Sequence, residues 1–328
     1  MPVIQHQRSD YIIKLEALNR RLPATHPAKN KVENRLIREK AGIKGENDMN
    51  FYLRFLSPDN HYLHKNPRIP CHGSHFEIDN LLMYCTAFLA VEVKNWYGTI
   101  FFDGESQVIQ RHDNGTEIGY PNPIPQVKLQ IHRLRLLLNR LNIPYIPMHY
   151  FIVFSSPKTI IKPLYPDNPV PKEVIHANRL FFLIKKFLQQ YSAPILDMKN
   201  IADVSAYLVA EHTPKMVDVM YEFGIKPWEL IKGVFCPKCG IAPMAWKHGK
   251  WHCIQCLHAS KMSHISALRD YMLLISDELS NAEARKFLKL DSPDVMKRLL
   301  RAAYQVAGTT KNRRYKLSKC RINANYAE

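Results

Sequence analysis

The sequence contains no apolar run of about 18 residues or more, which is the length that a helix needs to cross a bilayer. Its first residues, MPVIQHQRSDYIIKLEALNRR, also lack the apolar core of a signal peptide. No long amphipathic helix with a Lys/Arg polar face, which would attach to an anionic membrane surface, is evident. We therefore predict a cytoplasmic location and no membrane partner.

Disulfide bonds are not predicted, because the cysteine count is odd and the chain is expected to be cytoplasmic. Of the seven cysteines among 328 residues, Cys71, Cys85 and Cys320 are scattered along the chain. We expect these three to be small buried apolar residues. The other four lie close together between positions 236 and 256.

Acidic residues are too few to balance the basic ones, and the formal net charge is +17. This balance favours a polyanionic partner, of which nucleic acid is the commonest. The alternative is a basic protein that merely remains soluble. Hydrophobic residues make up 46% of the chain, which is ordinary for a globular protein, and its length allows two or three domains.

Two apolar runs, Phe76 to Tyr84 and Ala87 to Trp96, are predicted to form a hairpin of two strands. Both are rich in β-branched, aromatic and aliphatic residues. The break between them falls at Cys85 and Thr86, although these residues lack the Gly or Asn that tight hairpin turns favour. If they form the loop, pairing runs outward from Tyr84 and Ala87.

This register places Asp79 opposite Glu92, and Lys94 on the same face as Glu92. Two facing carboxylates repel each other unless a cation lies between them, and Mg²⁺ (or Mn²⁺) would take both as oxygen ligands. The Lys94 ammonium would then orient a coordinated water or stabilise charge on a phosphate. The alternative is an ordinary strand pair, in which Glu77 lies opposite Lys94 as an ion pair and Glu92 is solvated.

The order of predicted elements between residues 29 and 156 is helix, several strands, helix and strand. The first helix covers residues 29–56 with an interruption near Gly42. The second runs from Ile124 to Leu141, with apolar residues at i, i+3 and i+4 spacing. The apolar run IPMHYFIVFSS that follows is typical of a buried strand. This order predicts an α/β fold with a mixed sheet rather than regular βαβ repeats.

Four segments resemble the NERD (nuclease-related domain) family, which is grouped with the PD-(D/E)XK nuclease superfamily. They are GIKGEND at 42–48, FEIDNLLM at 76–83, AVEVKNWYG at 90–98 and NPIPQ at 122–126. The resemblance covers about residues 38–155. It implies a PD-(D/E)XK-like mixed sheet flanked by helices and metal-dependent hydrolysis of phosphodiester bonds.

The resemblance also implies roles for particular residues. Those implied for catalysis are Glu46, Asp79, Glu92, Lys94 and Gln126. Asp79 and Glu92 would hold the metal ion, with the Val93 carbonyl as a third ligand, and Lys94 would be the catalytic lysine. The alternatives are that Glu46 is a solvated helix carboxylate and that Gln126 makes a local helix cap.

The segment FCPKCGIAPMAWKHGKWHCIQC has the spacing of a zinc ribbon, with two CxxC motifs separated by thirteen residues. The predicted ligands of a tetrahedral, structural Zn²⁺ are Cys236, Cys239, Cys253 and Cys256. Four thiolates fill the coordination sphere, so no open position remains for catalysis. Aromatic and basic side chains suited to base stacking, or to packing of a small hairpin, alternate at Trp246, Lys247, Lys250 and Trp251.

The basic C-terminal segment resembles a winged helix-turn-helix over about residues 263–320. We predict one helix near 262–276, a second capped by Asn281, a third capped by Asp291 or Ser292, and then a basic hairpin. Residues expected to contact phosphates and base edges are Lys297, Arg298, Arg301, Lys311, Arg313, Arg314 and Lys316. The alternative is a helical bundle that packs on the rest of the chain.

Five segments are predicted in all. They are a basic leader at 1–28, the nuclease-like domain at 29–156, a helical extension at 157–232, the zinc ribbon at 233–260 and the winged helix-turn-helix at 261–328. Together they predict a Mg²⁺-dependent DNA endonuclease. The alternatives are a non-catalytic DNA-binding regulator, an RNA-acting nuclease, and a protein–protein scaffold.

Overall fold

The computed structural model describes residues 3–4, 10–56, 60–103, 106–191, 193–308 and 313–316. The chain divides into two compact units, and each is assembled from two stretches of sequence. The first unit combines Met1–Gln7 with Arg38–Lys215, and the second combines Arg8–Ile37 with Met216–Glu328.

Two helices, α1 (Asp10–Arg21) and α2 (Lys29–Leu53), come first along the chain. Helix α1 is amphipathic and buries Ile12, Leu15 and Leu18. The structure therefore differs from the predicted leader at 1–28, which contains this packed helix. Helix α2 continues through Gly42 without the predicted interruption, because one glycine costs a helix only about 1 kcal/mol relative to alanine.

The first unit is a mixed α/β structure. Its strands are β1 (His61–Lys65), β2 (Arg68–Cys71), β3 (Ser74–Glu77), β4 (Asn80–Tyr84), β5 (Phe88–Lys94), β6 (Thr99–Phe102), β7 (Gln107–Arg111), β8 (Glu117–Pro121), β9 (Met148–Phe154), β10 (Ile160–Pro163) and β11 (Val174–His176). Its further helices are α3 (Pro123–Arg140), α4 (Ala177–Gln189) and α5 (Met198–Glu211).

A five-stranded sheet with the order β1-β4-β5-β9-β11 forms the centre of this unit. Strands β1, β4 and β5 are antiparallel, whereas β5, β9 and β11 are parallel, so the predicted mixed sheet is confirmed. Apolar residues of α3 and α5 pack on one face. The C-terminal half of α2 and helix α4 pack on the other. Smaller sheets, β10-β6-β7-β8 and β2-β3, complete the unit.

The predicted hairpin register is confirmed. Asn80 pairs with Val91, and the Tyr84 N–H donates to the Ala87 carbonyl at 3.0 Å. The predicted strand from Phe76 to Tyr84 is instead two strands, because the chain bends at Asp79.

The bend also changes the partner of Glu77. This residue lies on β3 opposite Arg68 of β2, so the alternative pairing of Glu77 with Lys94 is wrong.

The second unit contains the cysteine cluster and three closely packed helices. After α6 (Val219–Glu222) and a short 3₁₀ turn at Pro227–Glu229 come β12 (Ala245–Lys247), β13 (Lys250–His252), β14 (Ala259–Ser260), α7 (His264–Leu274), β15 (Glu278–Leu279), α8 (Asn281–Leu288), α9 (Pro293–Ala303), β16 (Gln305–Ala307) and β17 (Arg314–Lys316). The last three strands form a sheet with the order β15-β17-β16. Helix α1 lies against α7.

The predicted helices of this unit are present, with one change at a cap. Ser280, not Asn281, caps α8 and forms a capping box with Glu283. Ser292 caps α9, which selects one of the two predicted residues. Asn281 instead donates to the Pro293 carbonyl at 3.0 Å.

In the part of the chain that the structure describes, no helix has the length and apolar character needed to cross a membrane.

Candidate functional sites

Glu92 lies at the centre of a polar cluster on the central sheet. It is 4% exposed and sits near the end of β5. The Lys94 ammonium donates to Glu92 Oε1 at 2.6 Å, and the Gln126 amide donates to the same oxygen at 3.2 Å. Oε2 of Glu92 takes neither of these bonds. Lys94 shares the strand face of Glu92 because it lies two residues further along β5.

Gln126 reaches Glu92 from the first turn of α3. The predicted alternative was that Gln126 makes a local cap, but Asn122 caps this helix by accepting the Ile124 N–H at 2.9 Å. The cap fixes where α3 begins. The Gln126 side chain is therefore held over the sheet beside Glu92.

Asp79 faces Glu92 from the bend before β4. Its Oδ2 accepts the backbone N–H of Val93 at 2.8 Å. Burial raises the pKa of the Asp79 carboxyl well above its usual range, and the negative charge of Glu92 raises it further, while Lys94 and the Val93 N–H act in the opposite direction. Such a pair of carboxylates is relieved by a bound cation.

Glu46, on α2, belongs to the same electrostatic cluster. Its charge contributes to the raised pKa of Asp79. The Asn66 side-chain amide donates to Glu46 Oε2 at 2.9 Å, and the Asn66 backbone N–H donates to the Asp79 carbonyl at 2.9 Å. The structure thus brings together all five residues for which the family resemblance implies catalysis.

Asn66 and Lys65 were not predicted from the sequence. Asn66 has a φ of +51°, a left-handed conformation that asparagine tolerates better than most residues. Burial lowers the pKa of the Lys65 ammonium, and Glu46 partly offsets this. The Asn66-Pro67 dipeptide is a turn signal, and it would have located the bend but not its contact with Glu46.

A close approach of α2 to the sheet positions Glu46. Gly45 is buried, and a Cβ atom there would lie 2.6 Å from Asn95 Cβ and 2.9 Å from Ser155 Oγ. Asn95 also donates to the Ala41 carbonyl at 2.7 Å, which ties β5 to the same helix. Glycine at position 45 is therefore required for this contact.

The four predicted cysteine ligands converge in the second unit. Their sulfur atoms all lie within 4.8 Å of one another, and the pairs Cys236–Cys256 and Cys239–Cys253 are 3.5 Å apart. Four sulfurs around a tetrahedral zinc, each at about 2.3 Å, are about 3.8 Å apart. The cluster is therefore compatible with a zinc ribbon.

Backbone groups favour the thiolate form of one of these cysteines. The N–H groups of Cys256 and Gln255, together with the thiols of Cys239 and Cys256, lower the pKa of the Cys253 thiol to about 6 against the opposing effect of burial. Metal ligation requires the thiolate. Among the described residues, no other group of three or more His, Cys, Asp or Glu side chains is drawn as closely together.

The two ribbon tryptophans pack inside the second unit. Trp251 is 0% exposed and donates to His264 Nδ1 at 3.2 Å, and Trp246 contacts it edge-on. Packing rather than base stacking therefore explains Trp251. Lys247 and Lys250 are exposed at the tip of the hairpin.

The basic residues predicted for nucleic-acid contact fall into two groups. Lys297, Arg298 and Arg301 are exposed on α9. On β17, Arg314 forms an ion pair with Glu283 at 3.0 Å, and Lys316 pairs with Glu278. Arg313 is half-buried, and Lys311 lies outside the described residues.

A basic cleft that was not predicted from the sequence lies at the junction of α8 and α9. Its volume is about 550 Å³, and it is lined by Ala282, Arg285, Lys286, Lys289, Leu290 and Asp291. Arg285 is fixed by donating to Asn281 Oδ1 at 3.1 Å and to the Asp291 carbonyl at 2.9 Å. Arg285 and Lys286 lie in the last turn of α8, and Lys289 follows as its left-handed C-cap, so helical periodicity gave no signal that the three side chains line one cleft.

Comparison with known proteins agrees with the resemblance noted in the sequence. Residues 41–155 match the family model described as the nuclease-related domain, NERD. No curated protein and no solved structure matches the chain. The matched segment contains Glu46, Asp79, Glu92, Lys94 and Gln126.

Proposed function

We propose that this protein is a metal-dependent nuclease that hydrolyses phosphodiester bonds in DNA. The observation that carries the proposal is that the carboxylates of Asp79 and Glu92 lie close enough to repel each other, beside the Lys94 ammonium. All three residues lie within the segment that matches the nuclease-related domain. The net charge of +17 agrees with a nucleic-acid substrate.

Asp79, Glu92 and the Val93 carbonyl are the proposed ligands of Mg²⁺ or Mn²⁺. Two carboxylates and several waters are the usual ligands of Mg²⁺ in proteins. When bound, such an ion lowers the pKa of a coordinated water and neutralises charge on the phosphate. The like-charge pair at Asp79 and Glu92 fits a divalent cation, since the mutual repulsion is removed when the ion binds.

The chain's own groups then have distinct tasks. Lys94, held 2.6 Å from Glu92, donates to the phosphate oxygen on which negative charge develops. Gln126 keeps the Glu92 carboxylate in one orientation through its bond to Oε1. Glu46 adds a third negative charge near Asp79. Its carboxylate would accept a proton, or a hydrogen bond from a water molecule, on that side of the site.

The second unit is proposed to bind the substrate. We assign structural Zn²⁺ to the four cysteines, and DNA contact to the exposed face of α9 and the basic cleft beside it. The order helix, strand, two helices and two paired strands supports a winged helix-turn-helix. Because Arg314 and Lys316 pair with acidic residues, we expect Lys297, Arg298 and Arg301 to contribute more.

The test is cleavage of plasmid, linear duplex, single-stranded DNA and RNA with Mg²⁺ or Mn²⁺, against EDTA. Asp79→Asn imitates the protonated carboxyl and should keep the fold, and Lys94→Ala removes the cation. Both should lose cleavage by about 100-fold or more and retain DNA binding. Asp113→Asn, in an exposed turn, is the matched control.

Each other outcome has a definite meaning. Equal cleavage by the wild type and both variants would place the activity elsewhere. Tight binding with no cleavage of any substrate would make the protein a DNA-binding regulator. Preferential cleavage of RNA would retain the mechanism and change the substrate.

A further inference from the structure

Aromatic rings are exposed on the surface of the first unit, at the end of α2, in the turn that follows it and on α4. Phe51 is 50% exposed, Phe55 56% and Phe182 69%. The rings are contiguous: the centroids of Phe51 and Phe55 are 5.3 Å apart, those of Phe55 and Phe181 6.5 Å, and those of Phe181 and Phe182 5.4 Å. A connected exposed aromatic surface of this kind marks an interaction site more often than a chance arrangement.

Cations are interleaved with these rings. The Arg54 guanidinium lies 4.3 Å from the Phe51 ring centroid and 5.4 Å from that of Phe55. The Lys185 ammonium lies 5.0 Å from the Phe181 centroid. On α4, Arg179, Phe182 and Lys186 follow at i, i+3 and i+7, so they share one helix face.

Basic residues outnumber acidic ones around this surface. The segments 49–56 and 177–190 contain neither Asp nor Glu, although the exposed Asp48 lies one helical turn before Phe51. The local charge is therefore positive in excess, and the ligand that complements it is anionic. Because the exposed apolar groups are flat rings rather than aliphatic chains, the ligand should present flat faces for stacking.

We propose that Phe51, Arg54, Phe55, Phe181, Phe182 and Lys185, here called the phenylalanine surface, bind a single-stranded nucleic acid. Unpaired bases stack on the rings of Phe55 and Phe182, and phosphates lie against Arg54, Lys185 and Lys186. Duplex DNA does not suit this surface, because its base faces are already stacked on one another. The inference rests on the proposed nucleic-acid partner and adds that an unpaired strand is recognised in the first unit.

Phe51 lies on the same helix as the candidate-site residue Glu46. It follows Glu46 by five residues on α2, about 8 Å further along the helix axis. Five residues also rotate the helix by about 140°, so Phe51 and Glu46 project from different sides of α2. Phe55 lies in the turn after α2 ends at Leu53. Single-strand binding therefore rests on the contacts of the phenylalanine surface alone, and not on the candidate site.

The experiment compares binding of a fluorescein-labelled 12-nucleotide single strand and the matching duplex by anisotropy, in EDTA at fixed salt. Phe182→Ala should weaken single-strand binding by about tenfold, the effect of losing one stacked base, and change duplex binding less than twofold. Arg54→Ala should reduce the slope of log K against log salt by about 0.7 for the single strand.

Tyr145→Ala is the matched control, because Tyr145 is 72% exposed in the same unit and also lies under an arginine, Arg135. It should leave both affinities unchanged. Thermal unfolding of each variant checks that the fold is retained. Unchanged single-strand binding in Phe182→Ala, or equal losses for single strand and duplex, would overturn the proposal.

Two further results would distinguish single-strand binding from membrane binding and from nuclease activity. Phe182→Ala could abolish binding to vesicles that contain anionic lipid and leave nucleic-acid binding unchanged. That result would assign the surface to membranes and overturn the proposal. Because binding is measured in EDTA, it does not depend on cleavage. Selective loss of single-strand binding in a protein without nuclease activity would support the surface and refute the proposed enzyme.

Discussion

The side-chain amide of Asn66 lies 2.9 Å from Glu46 Oε2, across the gap between β1 and α2. Its backbone N–H simultaneously donates to the Asp79 carbonyl. Asn66 thus connects two of the carboxylates assigned to the candidate site, although it carries no charge itself.

Asn66→Gly tests this connection with little disturbance to the backbone. Glycine accepts the positive φ of this position, so only the side-chain donor is lost. We expect the fold to persist and kcat/KM for metal-dependent cleavage to fall about tenfold, the effect of one lost hydrogen bond to a charged group. Asn142→Gly, which also replaces an asparagine at positive φ, should leave cleavage unchanged. Wild-type activity in Asn66→Gly would show that Glu46 needs no such support.

Two glycines on α2 provide a matched pair for stability. Gly45→Ala forces a methyl group against Asn95 and Ser155, and should lower the free energy of unfolding by about 1–3 kcal/mol. Gly42→Ala meets nothing within 4 Å and should raise it by about 0.5–1 kcal/mol through helix propensity. Urea unfolding monitored by circular dichroism measures both. A stabilising Gly45→Ala would mean that the helix is not held against the sheet.

The buried His64 should make the first unit sensitive to mild acid. Its Nδ1 accepts the Ile4 N–H at 3.2 Å, its Nε2 lies 2.9 Å from Ser205 Oγ, and burial lowers its pKa to about 4. Between this value and the ordinary pKa of about 6.5, the unfolded chain binds the proton and the folded chain does not. Stability is therefore lost as the pH falls through this window.

The expected loss between pH 7 and pH 5 is roughly 2 kcal/mol from this one residue. Urea unfolding of wild type and His64→Gln at both values measures it. The variant should be less stable at pH 7 but should show a pH dependence smaller by about that amount. An identical pH dependence in both proteins would assign the acid sensitivity to other groups.

Removal of the zinc proposed for the cysteine cluster should loosen the second unit. Cys236, Cys253 and Trp251 belong to one buried core. Because the metal would hold the cysteines in place, its loss should expose that core to solvent. Elemental analysis should find one zinc per chain in wild type and none in Cys253→Ser. Hydrogen exchange should accelerate in residues 245–260 and stay unchanged in residues 88–94.

Cys85→Ser, at a half-buried cysteine in the first unit, should retain the zinc. If residues 245–260 remain fully protected from hydrogen exchange after the metal is chelated, the ribbon folds without metal.

The sequence was informative wherever neighbouring residues determine the structure. The two apolar runs and the short break at Cys85-Thr86 were enough for the register in which Asn80 pairs with Val91, next to Asp79 and Glu92. Likewise, the paired CxxC motifs identified the cysteine cluster. In both cases the predicted contact lies within a short span of chain.

Contacts between distant segments were not predictable in this way. The bend at Asp79 depends on Asn66 and Pro67, whose backbone groups pair with Asp79 and Ile78. Ser280 displaced Asn281 as a cap because Asn281 bonds to Pro293 across the turn between two helices. Helix α1 was missed because its partner helix lies far along the chain.

Helix α1 is synthesised long before the helix on which it packs. The guanidinium of Arg21, sandwiched between Phe235 and Phe287, pairs with the buried carboxylate of Asp270 at 2.7 Å, 249 residues later. At about 5–20 residues per second, a ribosome needs roughly 10–50 seconds to make the intervening chain. During that interval α1 can contact only its earlier partners, such as α6, so Ile12, Leu15 and Leu18 remain incompletely covered until α7 has been made.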